Sequence, residues 1–335
     1  MAKEIITMAH GSGGRLYHQL VEQVFLTAFD NDYLRALTDS AVLDCGAGQV
    51  ALTTDSFVVR PRFFPGGDIG RLAVCGTVND LAMSGAEAKY LTVGMILEAG
   101  LPLAELREIC CSMAQAAREA GVLLVTGDTK VVEKGAGDGI YINTAGLGYF
   151  SPAGPPLPQR LETGNLILVS GNLGDHGLAI MAARENLDFD PPLRSDAAPL
   201  NGLVRTLRRA ATGLCALRDP TRGGAAAALN EWAAASGLDI LLDETALPVS
   251  GPVRAAAALL GLDPLYVANE GKLLAAVPPE QGEAALAALR GHPLGRDAAI
   301  IGRVCPGEGL VSLSTAYGVP RLIDMPEGDL LPRIC

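Results

Sequence analysis

A two-domain α+β protein is the fold class this sequence predicts, and three observations predict it. The chain has 335 residues, too long for a single core of about 150. Short β-rich runs alternate with helical patterns in both halves. Between the halves, Ser151-Pro-Ala-Gly-Pro-Pro-Leu-Pro158 places four prolines in eight residues, which neither a helix interior nor a central strand accepts.

Taken in order, Ser12 can cap a helix over 12–29, where Leu16, Leu20, Val24 and Ala28 recur at every fourth position. His10-Gly11-Ser12-Gly13-Gly14 ahead of it is a flexible glycine segment. Strands are expected over 50–54, 90–96, 122–126 and 140–147, and helices over 70–85 and 102–120. These patterns make the first half α/β or α+β. Asp138-Gly139, between Lys134 and an apolar strand, suits a turn. Beyond the prolines a strand is expected at 166–170, then alanine-rich helices at 175–187, 199–213 and 223–236. Strands at 239–242, 273–277 and 299–304 complete the second half, and the pattern stops near residue 325. The expected units are an N-terminal segment and helix (1–37), a first domain (38–150), a second domain (151–325) and a mobile tail (326–335).

Composition narrows the function classes. Hydrophobic residues make up 49% of the chain, ample for two cores, and the formal charge of −11 argues against nucleic-acid and anionic-membrane partners. A small anionic substrate would need a local pocket, a metal, or both. No basic-then-apolar leader and no run of about 18 apolar residues is present, so a cytoplasmic protein is expected. Cys45, Cys75, Cys110, Cys111, Cys215, Cys305 and Cys335 are scattered without a CxxC pair, which suggests neither disulfides nor a thiolate zinc site.

Four acidic residues stand where strands end or turns begin: Asp39, Asp55, Asp80 and Asp128. Carboxylates with neighbouring hydroxyls and amides are the hard oxygen ligands Mg²⁺ prefers, and Mg²⁺ neutralises nucleotide phosphates. Each one taken alone reads as a cap or turn residue. No GxxxxGK[ST] sequence occurs, and Gly135, Gly137 and Gly139 precede a strand instead of following one, which leaves no P-loop or Rossmann reading.

The text around those acids is more specific. Gly66-Gly-Asp-Ile-Gly-Arg-Leu-Ala-Val-Cys-Gly-Thr-Val-Asn-Asp-Leu-Ala-Met-Ser-Gly-Ala86 resembles the signature helix of the AIR-synthase-like superfamily. Val125-Thr-Gly-Asp-Thr-Lys-Val-Val132, Ser170-Gly-Asn-Leu-Gly-Asp-His-Gly177, Asp219-Pro-Thr-Arg-Gly-Gly224 and Ala268-Asn-Glu-Gly-Lys272 follow in that superfamily's order. The likeness covers nearly the whole chain and is strongest to the carbamoyl dehydratases of hydrogenase maturation. It implies a two-domain AIR-synthase-like fold, with ATP in a cleft built largely from the first domain. The second domain and the glycine segment would close over it. It also implies a homodimer formed through the first domain's strands. On this resemblance Asp39, Asp55, Asp80 and Asp128 gather Mg²⁺ around the triphosphate, and Asn79 is a phosphate-side neighbour. Gly127, Asp128 and Thr129 join them at the nucleotide, with Gly13 from the glycine segment. His10 either touches nucleotide or serves a turn. Thr38-Asp39 departs from the usual pair of acids in the first motif.

Pro332-Arg333-Ile334-Cys335 looks like the ending of the same dehydratases. A tail of about ten residues spans up to roughly 33 Å, enough to carry a thiol from an outside donor into an internal site. The resemblance implies that a carbamoyltransferase, HypF, loads Cys335. This protein then uses ATP to dehydrate the S-carboxamide to an S-cyanate, and the HypC–HypD pair accepts the cyanide. Glu270 and Lys130 match the positions expected to remove protons and to hold substrate or phosphate. His176 either faces phosphate or belongs to a helix start capped by Asp175, and Arg222 either binds phosphate or pairs with Asp219. The rival readings are a small-molecule kinase of the thiamine-phosphate or selenophosphate type and a non-catalytic nucleotide-binding scaffold. A selenophosphate enzyme would favour a cysteine in the glycine segment, where this chain has His10.

Overall fold

Along Val50–Phe57 (β1) exposed and half-buried residues alternate, the period-two pattern of a strand covered on one face. A short hairpin, Phe63–Phe64 (β2) and Gly67–Asp68 (β3), leads into helix α1, Ile69–Met83. The Asp68 carboxylate caps α1 by accepting the Gly70 and Arg71 amides. Strand β4 (Ala86–Glu98) then connects through helix α2 (Leu103–Ala120) to β5 (Leu123–Val132), and β6 (Ile140–Phe150) closes the domain. The computed structural model describes residues 5–7, 10, 19–32, 49–150, 156–326 and 334–335.

Strand order in the first sheet is β1-β6-β4-β5, antiparallel except for the β4–β5 pair. This resolves the first half as α+β. Helix α1 is buried on almost every side, as its apolar, small-residue sequence dictates. Gly76 and Gly146 set its distance from the sheet. A Cβ on Gly76 would lie 2.9 Å from the Phe57 ring, and one on Gly146 would lie 2.7 Å from Thr77. The Asp138-Gly139 turn forms as expected: Glu98 accepts the Gly135 and Gly139 amides at 2.6 and 2.8 Å.

The second domain holds a seven-stranded sheet made of β7 (Leu166–Val169), β8 (Ala216–Arg218), β9 (Asp239–Asp243), β10 (Leu274–Val277), β11 (Ala299–Cys305), β12 (Val311–Ser314) and β13 (Pro320–Leu322). Its order is β13-β12-β9-β11-β7-β10-β8, antiparallel except for β9–β12. Helices α3 (Asp175–Glu185), α4 (Asn201–Ala210) and α5 (Gly224–Ser236) occupy the expected places. Helices α6 (Gly251–Leu260) and α7 (Gly282–Arg290) were not expected, nor were β2, β3, β8, β12 and β13. The strands are too short to display a period, and both helices span fewer than three turns. The expected helix over 12–29 is described only in its later part, as a π-helical Val21–Leu26 running into Thr27–Phe29. Residues 151–155 at the proposed boundary and 327–333 of the tail lie outside the described residues.

A strap at 195–200 joins the domains. Ser195 N–H donates to the Pro65 carbonyl at 2.7 Å, Arg71 Nε to Ala197 O at 2.8 Å, and Asn79 Nδ2 to Ala198 O at 3.1 Å. Gly76 is the neighbour that lets β1 approach α1 beneath this joint. Replacing Gly76 with Val is expected to cost about 1–3 kcal/mol through overpacking against Phe57, despite a better helix propensity. A lowered thermal unfolding midpoint by circular dichroism checks this.

Candidate active site in the interdomain cleft

Three motifs far apart in the chain meet beside α1. Asn269 accepts the Gly174 amide at 2.8 Å, and the Asn269 N–H donates to Pro220 O at 2.9 Å. The Glu270 N–H and Lys272 Nζ both reach the Asp196 carboxylate, each at 3.0 Å. Gly271 is required at this crossing, because a Cβ there would lie 1.8 Å from the Asp196 carbonyl. The 219–224 and 268–272 segments, the latter braced by the 170–177 loop, therefore supply one wall, and β1 with α1 forms the other.

Between the walls runs a cleft of about 870 Å³, the size of a substantial small-molecule site. Asp55 from β1, Asp80 from α1, Asp219 from the end of β8, and Glu270 line it, together with Cys335. The Cys335 carbonyl accepts the Val58 amide at 3.2 Å, which lays the last residue against the end of β1. Ile334 beside it is buried.

These acids perturb one another. Burial, above all, raises Asp55 and Asp80, and Asp80 is raised further by Asp55 even though Thr53 donates to it at 3.0 Å. Burial and the nearby Asp80 push Asp219 up to about 7. Glu270, 2% exposed, is driven well above the usual carboxylate range by burial and by the field of Asp219, Asp196, Asp55 and Asp80. Mutually repelling, partly desolvated carboxylates create demand for a cation. Among the described residues no three His, Cys, Asp or Glu side chains are grouped to hold a metal ion by themselves. Mg²⁺ commonly takes only one or two carboxylates and completes its shell with phosphates and water, so the Asp55–Asp80 pair fits that donor set.

Other candidates are placed differently. Asp128 and Lys130 pair at 3.6 Å on β5, 68% and 70% exposed, and do not line the cleft. The cleft opens at β1, the opposite edge of the sheet, three strand spacings or roughly 14 Å away. Thr129 is buried beneath them, and a Cβ on Gly127 would lie 2.7 Å from Val93 O, so that glycine serves sheet packing. Asn79, expected as a phosphate-side neighbour, is buried at the domain joint. Its amide is spent on the Ala198 and Glu270 carbonyls and the Leu200 amide, at 3.1, 3.1 and 2.8 Å. His10 bonds Thr7 locally at 2.9 Å, in keeping with a turn, while Asp39 and Gly13 lie outside the described residues. Asp175 does not cap α3; Gly174 occupies that place, and the Asp175 carboxylate instead faces Lys272 at 3.7 Å. Arg222 lines the cleft and offsets a small part of the rise that burial gives the Asp55 and Asp80 carboxyls, with no ion pair to Asp219 among the described residues. Asp219 itself was missed as a site acid. Its signal was the acid that opens Asp219-Pro-Thr-Arg-Gly-Gly224.

The fold and cleft can now be set beside known proteins. AIR synthase related protein models match the chain in both domains, the N-terminal domain over residues 37–150 and the C-terminal domain over 162–313. The carbamoyl dehydratase HypE of Cupriavidus necator is 52% identical over 98% of this chain and 95% of its own length. That of Escherichia coli K12 is 50% identical over 98% and 99%. A crystal structure of the hydrogenase maturation protein HypE in complex with ATP superposes with a TM-score of 0.95 at 49% identity, covering 98% of this chain and 99% of that one. The chain therefore belongs to the carbamoyl dehydratase HypE family, enzymes of hydrogenase maturation. A thiamine-monophosphate kinase of Stenotrophomonas maltophilia, with a TM-score of 0.67 at 20% identity over 93% of this chain and 98% of its own, shares the fold alone. No described helix is long and apolar enough to cross a membrane.

The carboxylate cluster has a consequence for stability. Asp219 carries its proton up to about pH 7 when folded but only to about 3.8 when unfolded. The folded state thus binds more protons across that window, and the group's contribution is lost as pH rises through it. Asp219→Asn is expected to raise the unfolding midpoint of the nucleotide-free protein by roughly a few degrees at pH 7.5 and to flatten its decline between pH 4 and 7. Thermal scans across pH check this.

Proposed function

We propose that this protein dehydrates a carboxamide carried on the sulfur of Cys335 to an S-cyanate, driven by ATP. One observation carries the reading: Cys335 and the perturbed acids Asp55, Asp80, Asp219 and Glu270 line the same cleft. ATP is the expected cosubstrate because a HypE 49% identical to this chain has been crystallised with it. ATP supplies a phosphoryl group that turns the amide oxygen, a very poor leaving group, into departing phosphate. One carbon–oxygen bond breaks, two nitrogen-bound protons leave, and the carbon–nitrogen triple bond forms; the overall products are S-cyanate, ADP and phosphate.

The chain's own residues divide the work. Glu270 stands in the cleft with its proton affinity raised well above the usual carboxylate range by burial and by Asp219, Asp196, Asp55 and Asp80, the direction a proton acceptor requires. Asp55 and Asp80 are the carboxylates that would hold Mg²⁺, which would screen the phosphates from these acids. Arg222 offers a cation for phosphate from the second domain. Asp39 is retained as a further ligand on the family resemblance alone.

Asp128 and Lys130 enter this reading through a second copy. They share an uncovered face of the first sheet with Leu52, 75% exposed, Ile96 and Leu123. A homodimer that buries this apolar face would bring one subunit's β5 within reach of its partner's cleft, where Lys130 could hold substrate or phosphate. The family includes a solved HypE–HypF complex, whose HypE is 49% identical with a TM-score of 0.81 and covers 92% of this chain and 99% of that one. HypF is accordingly the proposed donor of the carbamoyl group, and the HypC–HypD pair the acceptor of cyanide, in the cytoplasm where ATP is available.

Replacing Cys335 with Ala should leave ATP affinity within about twofold and abolish cyanate formation. Mass spectrometry of the carbamoylated C-terminal peptide after ATP addition checks this; cyanate formed without Cys335 refutes the reading. Mixing Lys130→Ala with Cys335→Ala subunits should restore roughly a quarter to a half of wild-type turnover if Lys130 acts across the dimer. No restoration would refute that arrangement.

A further inference from the structure

The buried imidazole of His176 is not used by the chemistry above, yet its two partners are specific. Its Nε2 lies 2.7 Å from the Ile334 carbonyl, 158 positions along the chain, and its Nδ1 lies 2.8 Å from Ser195 Oγ. A carbonyl can only accept, so Nε2 carries the hydrogen and the Nδ1 lone pair takes the Ser195 hydroxyl proton. Ser195 Oγ in turn accepts the Ala197 amide at 3.1 Å. One tautomer satisfies every polar atom. The Phe64 ring meets the imidazole edge-on at 5.7 Å, fixing its plane.

The seat belongs to both domains. His176 and Ser195 come from the second, Phe64 from the first, and the Ser195 amide is tied to Pro65. The Ile334 side chain, 4% exposed, fills an apolar socket in the core shared by the first domain with α3 and α6. A second backbone bond, Val58 N–H to Cys335 O, lies one residue on. The contacts thus address the Ile334 side chain, its carbonyl and the main-chain oxygen of Cys335.

We propose that His176, oriented by Ser195, is a positioning residue that seats the Ile334–Cys335 dipeptide in the cleft by its penultimate carbonyl and side chain. The inference deepens the proposed function and rests on Cys335 being the substrate carrier. Such a seat holds the chain chiefly through the residue before the cysteine. One ring nitrogen of this buried imidazole is given to the final dipeptide.

The test uses the full-length protein and follows maleimide labelling of each cysteine by mass spectrometry, with Cys111, which is exposed, as internal control. His176→Ala should speed labelling of Cys335 by about tenfold or more, leave Cys111 labelling and ATP affinity unchanged, and lower kcat for cyanate formation by a similar factor. His176→Gln, which keeps an N–H donor, should recover most of the protection. Ile334→Ala tests the same seat from the other side, and gives the answer should His176→Ala fail to fold. Wild-type labelling rates in both Ala variants would overturn the proposal. So would faster labelling with undiminished kcat, because His176 would then hold the chain without positioning it for reaction. Failure of the functional reading is distinct: carbamoylated wild-type protein would itself yield no cyanate while the labelling differences persisted.

Discussion

The side-chain amide of Asn79 is the interaction on which the site's geometry depends. Buried between the domains, it donates to the Ala198 and Glu270 carbonyls and accepts the Leu200 amide. All three groups are backbone atoms of the second domain, and Asn79 stands on the central helix of the first. Asp80, the next residue on α1, consequently faces the same cleft as Glu270. A half-satisfied amide in such surroundings would cost about 1–3 kcal/mol, so the joint favours one relative placement of the domains.

That joint brings carboxylates together against their mutual repulsion. Lys272 relieves part of it, lying close to Asp196 and Asp175 and itself raised by them despite its burial. Around the cleft no such lysine is present among the described residues, and Asp55, Asp80, Asp219 and Glu270 all move towards protonation. Folding energy is stored there as unfavourable charge, the common condition of sites that bind cations or move protons. The net negative charge of the chain therefore does not conflict with an anionic nucleotide. The local demand for a cation, with Arg222 and Arg218 on the opposite wall, sets the field that a phosphate would meet.

The glycines and the strap explain why such small residues crowd the motifs. Gly271 and Gly66 lie where the strap's backbone passes, and a side chain at either would collide with Asp196 or Ser195. Close approach of backbones lets the 170–177, 219–224 and 268–272 loops pack together behind the cleft.

From the sequence by itself, the two-domain α+β class, the longer helices and strands, and the family motifs were determined, because each depends on local period, capping and turn chemistry. Asp55, Asp80, Glu270 and Cys335 were legible because their motifs are contiguous. What only the tertiary structure decided was which residues face one another. Asn79 proved a domain joint, Asp219 an acid of the cleft, and His176 a partner of Ile334; Asp128 and Lys130 stand at the far edge of the sheet. Side-chain direction across a sheet and contacts between segments 100 or more positions apart follow from strand order and domain packing. A motif read along the chain carries no record of either.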